Sequence, residues 1–271
     1  MEMNVLFAFG LTLMAGLATG IGSLLAFFTS RTNTKFLSLA LGFSAGVMIY
    51  VSMIEIFVKA QDALVSDLGS PIGNWVTVIS FFSGMLVIAL IDKFIPKQNN
   101  PHELRKVEDM NLQPQQIPAT DSNLMKMGIF AALAIGIHNF PEGIATFASA
   151  LKDPTLGISI AIAIAIHNIP EGIAVSVPVY YATGSKRKAF KLSFLSGLSE
   201  PLGALAAYLV LMPFLNDLIF GIIFAAVAGI MVFISLDELL PAAKKYEEAH
   251  TSIYGLILGM FVMAISLLLV M

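Results

Sequence analysis

The sequence contains no cysteine and very little charge. Of its 271 residues, 12% are Asp, Glu, Lys or Arg, about half the fraction usual in soluble globular proteins. Low charge excludes an ordinary water-soluble domain, and the lack of cysteine excludes disulfides and thiolate metal sites. With only four histidines, any imidazole-based site must draw on a small set. No glycine-rich phosphate-binding loop is present, so ATP is not an expected partner. No nucleic-acid partner is expected either.

Apolar residues make up 57% of the chain and lie in blocks of about 20, long enough to span a bilayer. The first block follows MEMN, which has no basic region, so it is expected to be a retained helix and not a cleaved signal. The sequence predicts an all-α membrane protein with one domain, 1–271. Its eight predicted spans are 4–28, 36–58, 75–95, 124–150, 155–180, 190–211, 216–240 and 252–271.

The connections between these spans differ in charge. The segment 96–123 is polar and rich in proline, which is typical of a flexible loop. Placing both termini outside puts 13 of the 15 Lys and Arg residues on the inner side and leaves only Lys59 and Lys152 outside. Because basic residues favour the cytoplasmic side, we expect a cell-membrane protein with extracytoplasmic termini. The predicted cytoplasmic loops are 29–35, 96–123, 181–189 and 241–251.

Two related stretches occupy the middle of predicted spans four and five. HNFPEG at 138–143 and HNIPEG at 167–172 lie within longer matching segments at a constant offset of 29 residues. Because residues three or four positions apart share a helix face, each stretch places an imidazole, a carboxamide and a carboxylate together. This set suits a divalent metal, most naturally zinc or a first-row neighbour. The candidate ligands are His138, Asn139, Glu142, His167, Asn168 and Glu171.

Prolines accompany these candidate ligands. Pro141 and Pro170 cannot donate to the helix ladder, so each predicts a broken helix, as is common at ion sites within membranes. Glu200, in SGLSEPLGAL, is again followed by proline, which predicts a third broken helix. Glu200 itself adds a candidate ligand on span six. Each of the three mid-span acids would cost about 3 kcal/mol if ionised without a partner. No Lys or Arg lies in mid-span, so the acids are either protonated or neutralised by a bound cation; we favour the cation, with two ions as a hypothesis.

A second repeat pairs SAGVMIYVSMIEI (44–56) with VAGIMVFISLDEL (227–239) at an offset of 183 residues. These stretches lie on spans two and seven, which cross in opposite directions, as spans four and five do. Inverted repeats are typical of secondary transporters with a midplane site, although chance similarity between apolar helices is an alternative here. The polar residues of this repeat are candidates for the transport pathway, with the first two toward the outer mouth and the others toward the inner mouth: Ser52, Glu55, Ser235, Asp237 and Glu238. The alternative is that the acids, being at helix ends, simply lie in interfacial water.

The paired HN-x-PEG motifs, followed by SGLSEPLGAL, resemble the ZIP family of divalent-metal transporters, and most of all its bacterial branch. The resemblance covers all eight spans. It implies a carrier, without catalytic residues, that imports Zn²⁺ and also Fe²⁺, Mn²⁺, Co²⁺ or Cd²⁺ through a two-metal centre. It also implies a homodimer, which small-residue helix faces permit. By motif position, the implied ligands are His138, Asn139, Glu142, His167, Asn168, Glu171 and Glu200.

Other functions stay open on the sequence. The ligand types fit Fe²⁺ or Mn²⁺ as the main substrate as well as Zn²⁺. A membrane-embedded zinc hydrolase is disfavoured because neither motif is HExxH and inverted repeats have no evident use in a hydrolase. A proton- or sodium-coupled carrier of an organic solute is disfavoured because the His and Glu residues recur at metal-ligand spacing.

Overall fold

A computed structural model of the chain describes residues 2–28, 34–94, 122–214, 216–245 and 250–270. Every regular element within these ranges is helical, as the apolar blocks predict. The α-helices are α1 (Glu2–Phe28), α2 (Thr34–Tyr50), α3 (Phe57–Leu68), α4 (Ser70–Phe94), α5 (Ser122–Lys152), α6 (Pro154–Thr183), α7 (Lys186–Gly197), α8 (Ser199–Ala206), α9 (Asp217–Ile234), α10 (Leu240–Lys245) and α11 (Thr251–Val270). They are joined in places by π-helical turns at Val51–Ile56, Ala207–Leu211 and Ser235–Leu239, and by a 3₁₀ turn at Met212–Phe214.

Seven helical stretches in the described ranges are long and apolar enough to cross a membrane. They correspond to every predicted span except 124–150. That span lies within α5, whose 31 residues reach roughly 45 Å, more than the thickness of a bilayer's hydrocarbon core. The predicted loop 96–123 lies outside the described residues, apart from its last two positions, which begin α5. The all-α membrane fold is therefore confirmed.

Span two ends later than predicted. Lys59, Asp62 and Asp67 interrupt the apolar run, but α3 carries them through to Leu68 as a helix that buries Ala and Leu side chains on its other face. Gly69 then adopts a φ of 80°, a conformation that glycine reaches without steric cost, and α4 begins at the next residue.

The prolines of the HN-x-PEG motifs do not break their helices. α5 continues through Pro141 and α6 through Pro170. The interruption lies instead in span six, where Leu198 separates α7 from α8 just before Glu200. Pro201 falls in the first turn of α8, where its missing N–H is not needed. Only one of the three predicted breaks is therefore present, and it lies beside a candidate ligand.

The π-helical turns of spans two and seven fall at equivalent positions of the second repeat. Val51–Ile56, shifted by the 183-residue offset, maps onto 234–239, and the observed turn in span seven is Ser235–Leu239. A π turn adds one residue to a helical turn and is frequent at functional sites. The shared departure from α-helical geometry supports the repeat independently of the sequence match, and each turn contains a candidate acid, Glu55 or Glu238.

The helices pack as two bundles. α1, α5, α6, α7 and α8 contact one another extensively and form the first bundle. α2, α3, α4, α9 and α11 form the second bundle, in which α11 packs along α2, and α9 along α4 and α3. The two bundles meet through fewer contacts, chiefly α6 with α2 and α5 with α9. All seven candidate ligands of the HN-x-PEG and SGLSEPLGAL motifs belong to the first bundle.

Glycines bring the helices of each bundle into backbone contact. A Cβ on Gly143 would overlap the carbonyl of Glu200, and one on Gly203 would overlap that of Phe140, so α5 and α8 touch. Gly172 and Gly22 join α6 to α1 in the same way. In the second bundle, four glycines join α2 to α11: Gly42, Gly46, Gly255 and Gly259. These small-residue faces are used within one chain, and the homodimer stays a prediction of the resemblance.

Candidate metal centre

The seven candidate ligands come from three adjacent spans and are all buried. α5 supplies His138, Asn139 and Glu142, and its contacts with α6 and α8 bring the other four residues close. The exposed fraction is 4% for Glu171, 3% for His138 and at most 1% for the others. Among the described residues, the buried polar side chains include no Lys or Arg. The carboxylates of this centre therefore have no buried basic partner in that part of the chain.

His167 of the second motif contacts Glu142 of the first. Nε2 of His167 lies 3.2 Å from Oε2 of Glu142, and its Nδ1 lies 3.2 Å from the carbonyl oxygen of Ala163. Because a carbonyl only accepts, Nδ1 carries hydrogen, and in a neutral ring Nε2 then turns its lone pair toward the carboxylate. Either a shared proton or a cation bound to both stabilises that pair. Two ligands of one tetrahedral zinc ion also lie roughly 3.3 Å apart, given bonds of about 2.0–2.2 Å.

Each asparagine holds the glutamate of the following span. Asn168 donates from Nδ2 to the Ala15 carbonyl at 2.8 Å and to Oε1 of Glu200. With its amide nitrogen turned toward its acceptors, Asn139 donates to the Ile135 carbonyl at 3.0 Å and to Oε2 of Glu171 at 3.2 Å. The two motifs thus share this asparagine–glutamate contact as well as their sequence.

Three acceptor oxygens of the centre have no hydrogen-bond partner among the described residues: Oε1 of Glu142, Oδ1 of Asn168 and Oε2 of Glu200. Buried oxygens of this kind are costly when left unpaired. They come from spans four, five and six, the spans that carry the motif ligands. Carboxylate and carboxamide oxygens are suitable ligands for a divalent cation, so a cation cargo would satisfy them.

In this conformation the centre is not a ready-made coordination shell. Within the described residues, no three His, Asp or Glu side chains converge as a metal cluster. The candidate ligands instead hydrogen bond to one another in pairs. A bound ion would have to take the place of some of these contacts, in particular the one between His167 and Glu142.

The candidate pathway residues of the second repeat differ in how deeply they are buried and in what they contact. Glu238, expected near the inner mouth, is 4% exposed and has its Oε1 3.2 Å from Nε2 of His138. Asp237 is exposed, although it is the neighbouring residue. Glu55 is 7% exposed and its charged neighbours include Lys59 and Asp153. The second bundle thus supplies a carboxylate to the candidate centre.

The serines of this repeat are both fully buried. Ser235 Oγ donates to the Met231 carbonyl at 2.8 Å, and Ser52 Oγ has no partner among the described residues.

Sequence reasoning missed several groups at this centre. The carbonyls of Ala15, Ile135 and Ala163 accept from candidate ligands, but backbone groups leave no signature in side-chain spacing. The pairing of His138 with Glu238 was also missed, because the two residues lie on different repeats. The π turn in span seven, which alters the direction of the residues that follow it, has no signal in the apolar pattern.

Comparison with known proteins gives matches along nearly the whole chain. A family model described as ZIP Zinc transporter matches residues 93–267. A protein of Lysinibacillus sphaericus named zinc transporter ZupT is 74% identical over 269 residues, which is 99% of either chain. Proteins of the same name from Oceanobacillus iheyensis and Streptococcus mutans are 73% and 60% identical, and the matches cover 98% and 99% of both chains respectively.

Proposed function

The chain belongs to the ZIP zinc transporter family, and we propose that it imports divalent transition-metal cations, chiefly Zn²⁺, into the cytoplasm by alternating access. The observation that carries this proposal is the set of three unpartnered buried oxygens, on Glu142, Asn168 and Glu200, beside the His167–Glu142 pair. The printed names of the relatives favour zinc as the cargo. They are names of transporters, and we propose no catalytic activity for this chain.

The proposed site is formed by His138, Asn139, Glu142, His167, Asn168, Glu171 and Glu200. The three buried carboxylates carry more negative charge than one divalent ion neutralises, which favours a second ion. Glu142 and Glu171 would then bridge the two ions. Zinc, iron, manganese, cobalt and cadmium all accept this mixture of nitrogen and oxygen ligands, so the site alone permits a broad substrate range, with Fe²⁺ or Mn²⁺ as alternative main substrates.

Alternating access is supported by the division into two bundles. The candidate ligands belong to the first bundle, whereas Ser52, Glu55, Ser235, Asp237 and Glu238 belong to the helical spans of the second. Movement of one bundle against the other would carry the site past different residues of the pathway. In this scheme Glu55 serves ions at the outer side and Glu238 meets the site from the inner side.

Transport is tested with the purified protein in liposomes that contain a metal-sensitive dye. We expect saturable uptake of Zn²⁺, with Fe²⁺ and Mn²⁺ compared in parallel and Mg²⁺ excluded. Glu142→Ala and Glu171→Ala should each abolish uptake, because each removes a buried carboxylate of the proposed site. The matched control is Asp67→Ala, which removes an exposed acid from α3 and should leave uptake unchanged.

Two outcomes would contradict the proposal. Absence of uptake for every metal would reopen the hydrolase and organic-solute alternatives. Uptake that survives both substitutions would show that the HN-x-PEG motifs are structural. Metal analysis of the saturated protein tests the number of ions, and one ion or fewer per chain would count against a two-metal site.

A further inference from the structure

A charged contact joins the two bundles at one end of the molecule, away from the candidate site. Lys152, the last residue of α5, has its Nζ 3.0 Å from Oδ1 of Asp217, the first residue of α9. The same ammonium group lies 4.0 Å from the centroid of the Phe220 ring, within range of a cation–π interaction. α5 belongs to the first bundle and α9 to the second. A single side chain of one bundle therefore holds two groups of the other.

Apolar side chains close the seam between the bundles next to this contact. Phe147, Ala148 and Leu151 of α5 face Phe220 and Phe224 of α9 around a cavity of about 10 Å³. That volume has room for at most about one water molecule. The rings of Phe220 and Phe224 stack with their centroids 4.0 Å apart. This cavity therefore has no room for a hydrated ion.

The acid next to Lys152 in the sequence has a different role. The adjacent acid, Asp153, is already engaged as the N-cap of α6, where its Oδ1 accepts from the Thr155 N–H at 2.9 Å. Lys152 is also one of only two basic residues that the sequence assigns to this end, the other being Lys59. Within the described part of the chain, the Lys152 ammonium group contacts Asp217 and the Phe220 ring.

We propose that Lys152, Asp217 and Phe220 form a latch that holds the bundles closed at this end and must open in each transport cycle. The proposal rests on the proposed function, since an alternating-access carrier has to open this seam. The side chains of Lys152 and Asp217 are 40% and 58% exposed. Exposed ion pairs contribute little to stability, which suits a contact that must form and break repeatedly.

The natural lack of cysteine allows a direct test by cross-linking. In the double variant K152C/D217C, a short bifunctional methanethiosulfonate reagent should join the bundles and lower Zn²⁺ uptake at least about tenfold, since it prevents their relative movement. A spacer is needed because a Lys–Asp contact holds the Cβ atoms farther apart than a disulfide allows. Reductive cleavage of the reagent should restore uptake.

The matched control is a pair at the same end but within one bundle. Gln61 of α3 donates to Asn74 of α4 at 2.8 Å, and both helices belong to the second bundle. The cross-linked Q61C/N74C variant should keep its uptake. Full uptake in cross-linked K152C/D217C would overturn the latch, and so would an equal loss in the control pair, because the effect would then not depend on joining the bundles.

A second measurement does not depend on transport. Ala148 lies in the closed seam at 5% exposure, so the labelling rate of A148C by a maleimide reports how often the seam opens. Adding Lys152→Gln should raise that rate about two- to fivefold, the scale of a weak ion pair with a cation–π contact. Lys59→Gln should leave it unchanged, and the charge-exchanged pair K152D/D217K should return it toward its original value. If the unaltered protein transports no metal, the proposed function fails. An unchanged A148C labelling rate in the Lys152→Gln variant would overturn the latch, whatever the result of the transport measurement.

Discussion

At the residue scale, each asparagine of the HN-x-PEG motifs uses its amide nitrogen to hold neighbouring groups and keeps its amide oxygen available as a candidate ligand. The Nδ2 of Asn168 binds a backbone carbonyl and the Glu200 carboxylate, so its Oδ1 is the atom left to face a cation. Asn139 makes the equivalent pair of contacts with Ile135 and Glu171. A carboxamide suits both tasks, because it combines donors and an acceptor without adding charge.

Replacing Asn168 by alanine should therefore destabilise the protein as well as impair its site. The change leaves the Ala15 carbonyl and a Glu200 oxygen buried without their donor, which should lower the free energy of unfolding by about 2–3 kcal/mol. Thermal unfolding in detergent measures the effect. Asn74→Ala removes an asparagine whose side-chain partners among the described residues are Gln61 and an exposed serine, and should change stability by less than about 1 kcal/mol. Equal losses in the two variants would mean that Asn168 does not hold Glu200.

Two neighbouring acids of span seven should respond differently to neutralisation. Glu238 is buried against His138, whereas Asp237 is exposed. Glu238→Gln keeps the shape but removes the charge beside the proposed site, so Zn²⁺ uptake in liposomes should fall about tenfold or more. Asp237→Asn should stay within about twofold of the unaltered protein, since the Asp237 side chain is exposed and does not contact the proposed site residues among those described. A larger loss for Asp237→Asn than for Glu238→Gln would contradict the contact between span seven and the site.

At the element scale, glycine determines how closely the site helices approach. Gly143 lies directly after Glu142, and a Cβ there would overlap the backbone carbonyl of Glu200. The candidate ligands of spans four and six thus lie close together where Gly143 and Gly203 have no side chain. A similar close approach joins α6 to α1 through Gly172 and Gly22, and Gly172 is the position that the 29-residue offset makes equivalent to Gly143.

Gly143→Ala should force α8 away from α5 and displace Glu200. Overpacking of this kind should cost about 1–3 kcal/mol of stability, and Zn²⁺ uptake should fall with it. Gly10→Ala is the matched control, because a Cβ on Gly10 meets nothing within 4 Å and alanine is the better helix former. Thermal unfolding and uptake are measured on both. An unperturbed Gly143→Ala variant would show that the helix contact is looser than described.

The sequence predicted the positions of the membrane-spanning helices better than it predicted the breaks and π turns within them. Apolar length located the spans, because the bilayer imposes it, and the two matching motifs located His138 and His167 on one face of each helix. The break at Leu198 was assigned only approximately, since a proline predicts a lost hydrogen bond but not whether neighbouring helices hold the backbone. The π turns at Val51–Ile56 and Ser235–Leu239 had no signal in hydropathy. Glu238, which contacts His138, lies within such a turn, and the apolar pattern did not predict this contact.

At the scale of the whole molecule, the inverted repeats account for the packing of both bundles. Spans two and seven correspond, and α2 packs on α11 as α9 packs on α4. Spans four and five correspond, and α5 packs on α8 as α6 packs on α1. Because equivalent helices run in opposite directions, the protein can present related contacts to the two sides of the membrane. A carrier that moves between two accessible states gains two similar end states from this symmetry.

The membrane side toward which Glu55 and Glu238 each lie depends on which side the termini face, and the distribution of basic residues predicts that the termini face outside. The cysteine-free chain makes this testable with single cysteines at two exposed positions, Asp67 between spans two and three and Arg187 between spans five and six. In intact cells, a membrane-impermeant maleimide should label D67C and leave R187C unlabelled. Permeabilised cells should show labelling of both, which confirms that each cysteine is reactive. The reverse pattern in intact cells would place Glu55 toward the cytoplasm and Glu238 toward the outside. A cation entering the cell would then meet Glu238 before the proposed site and Glu55 after it.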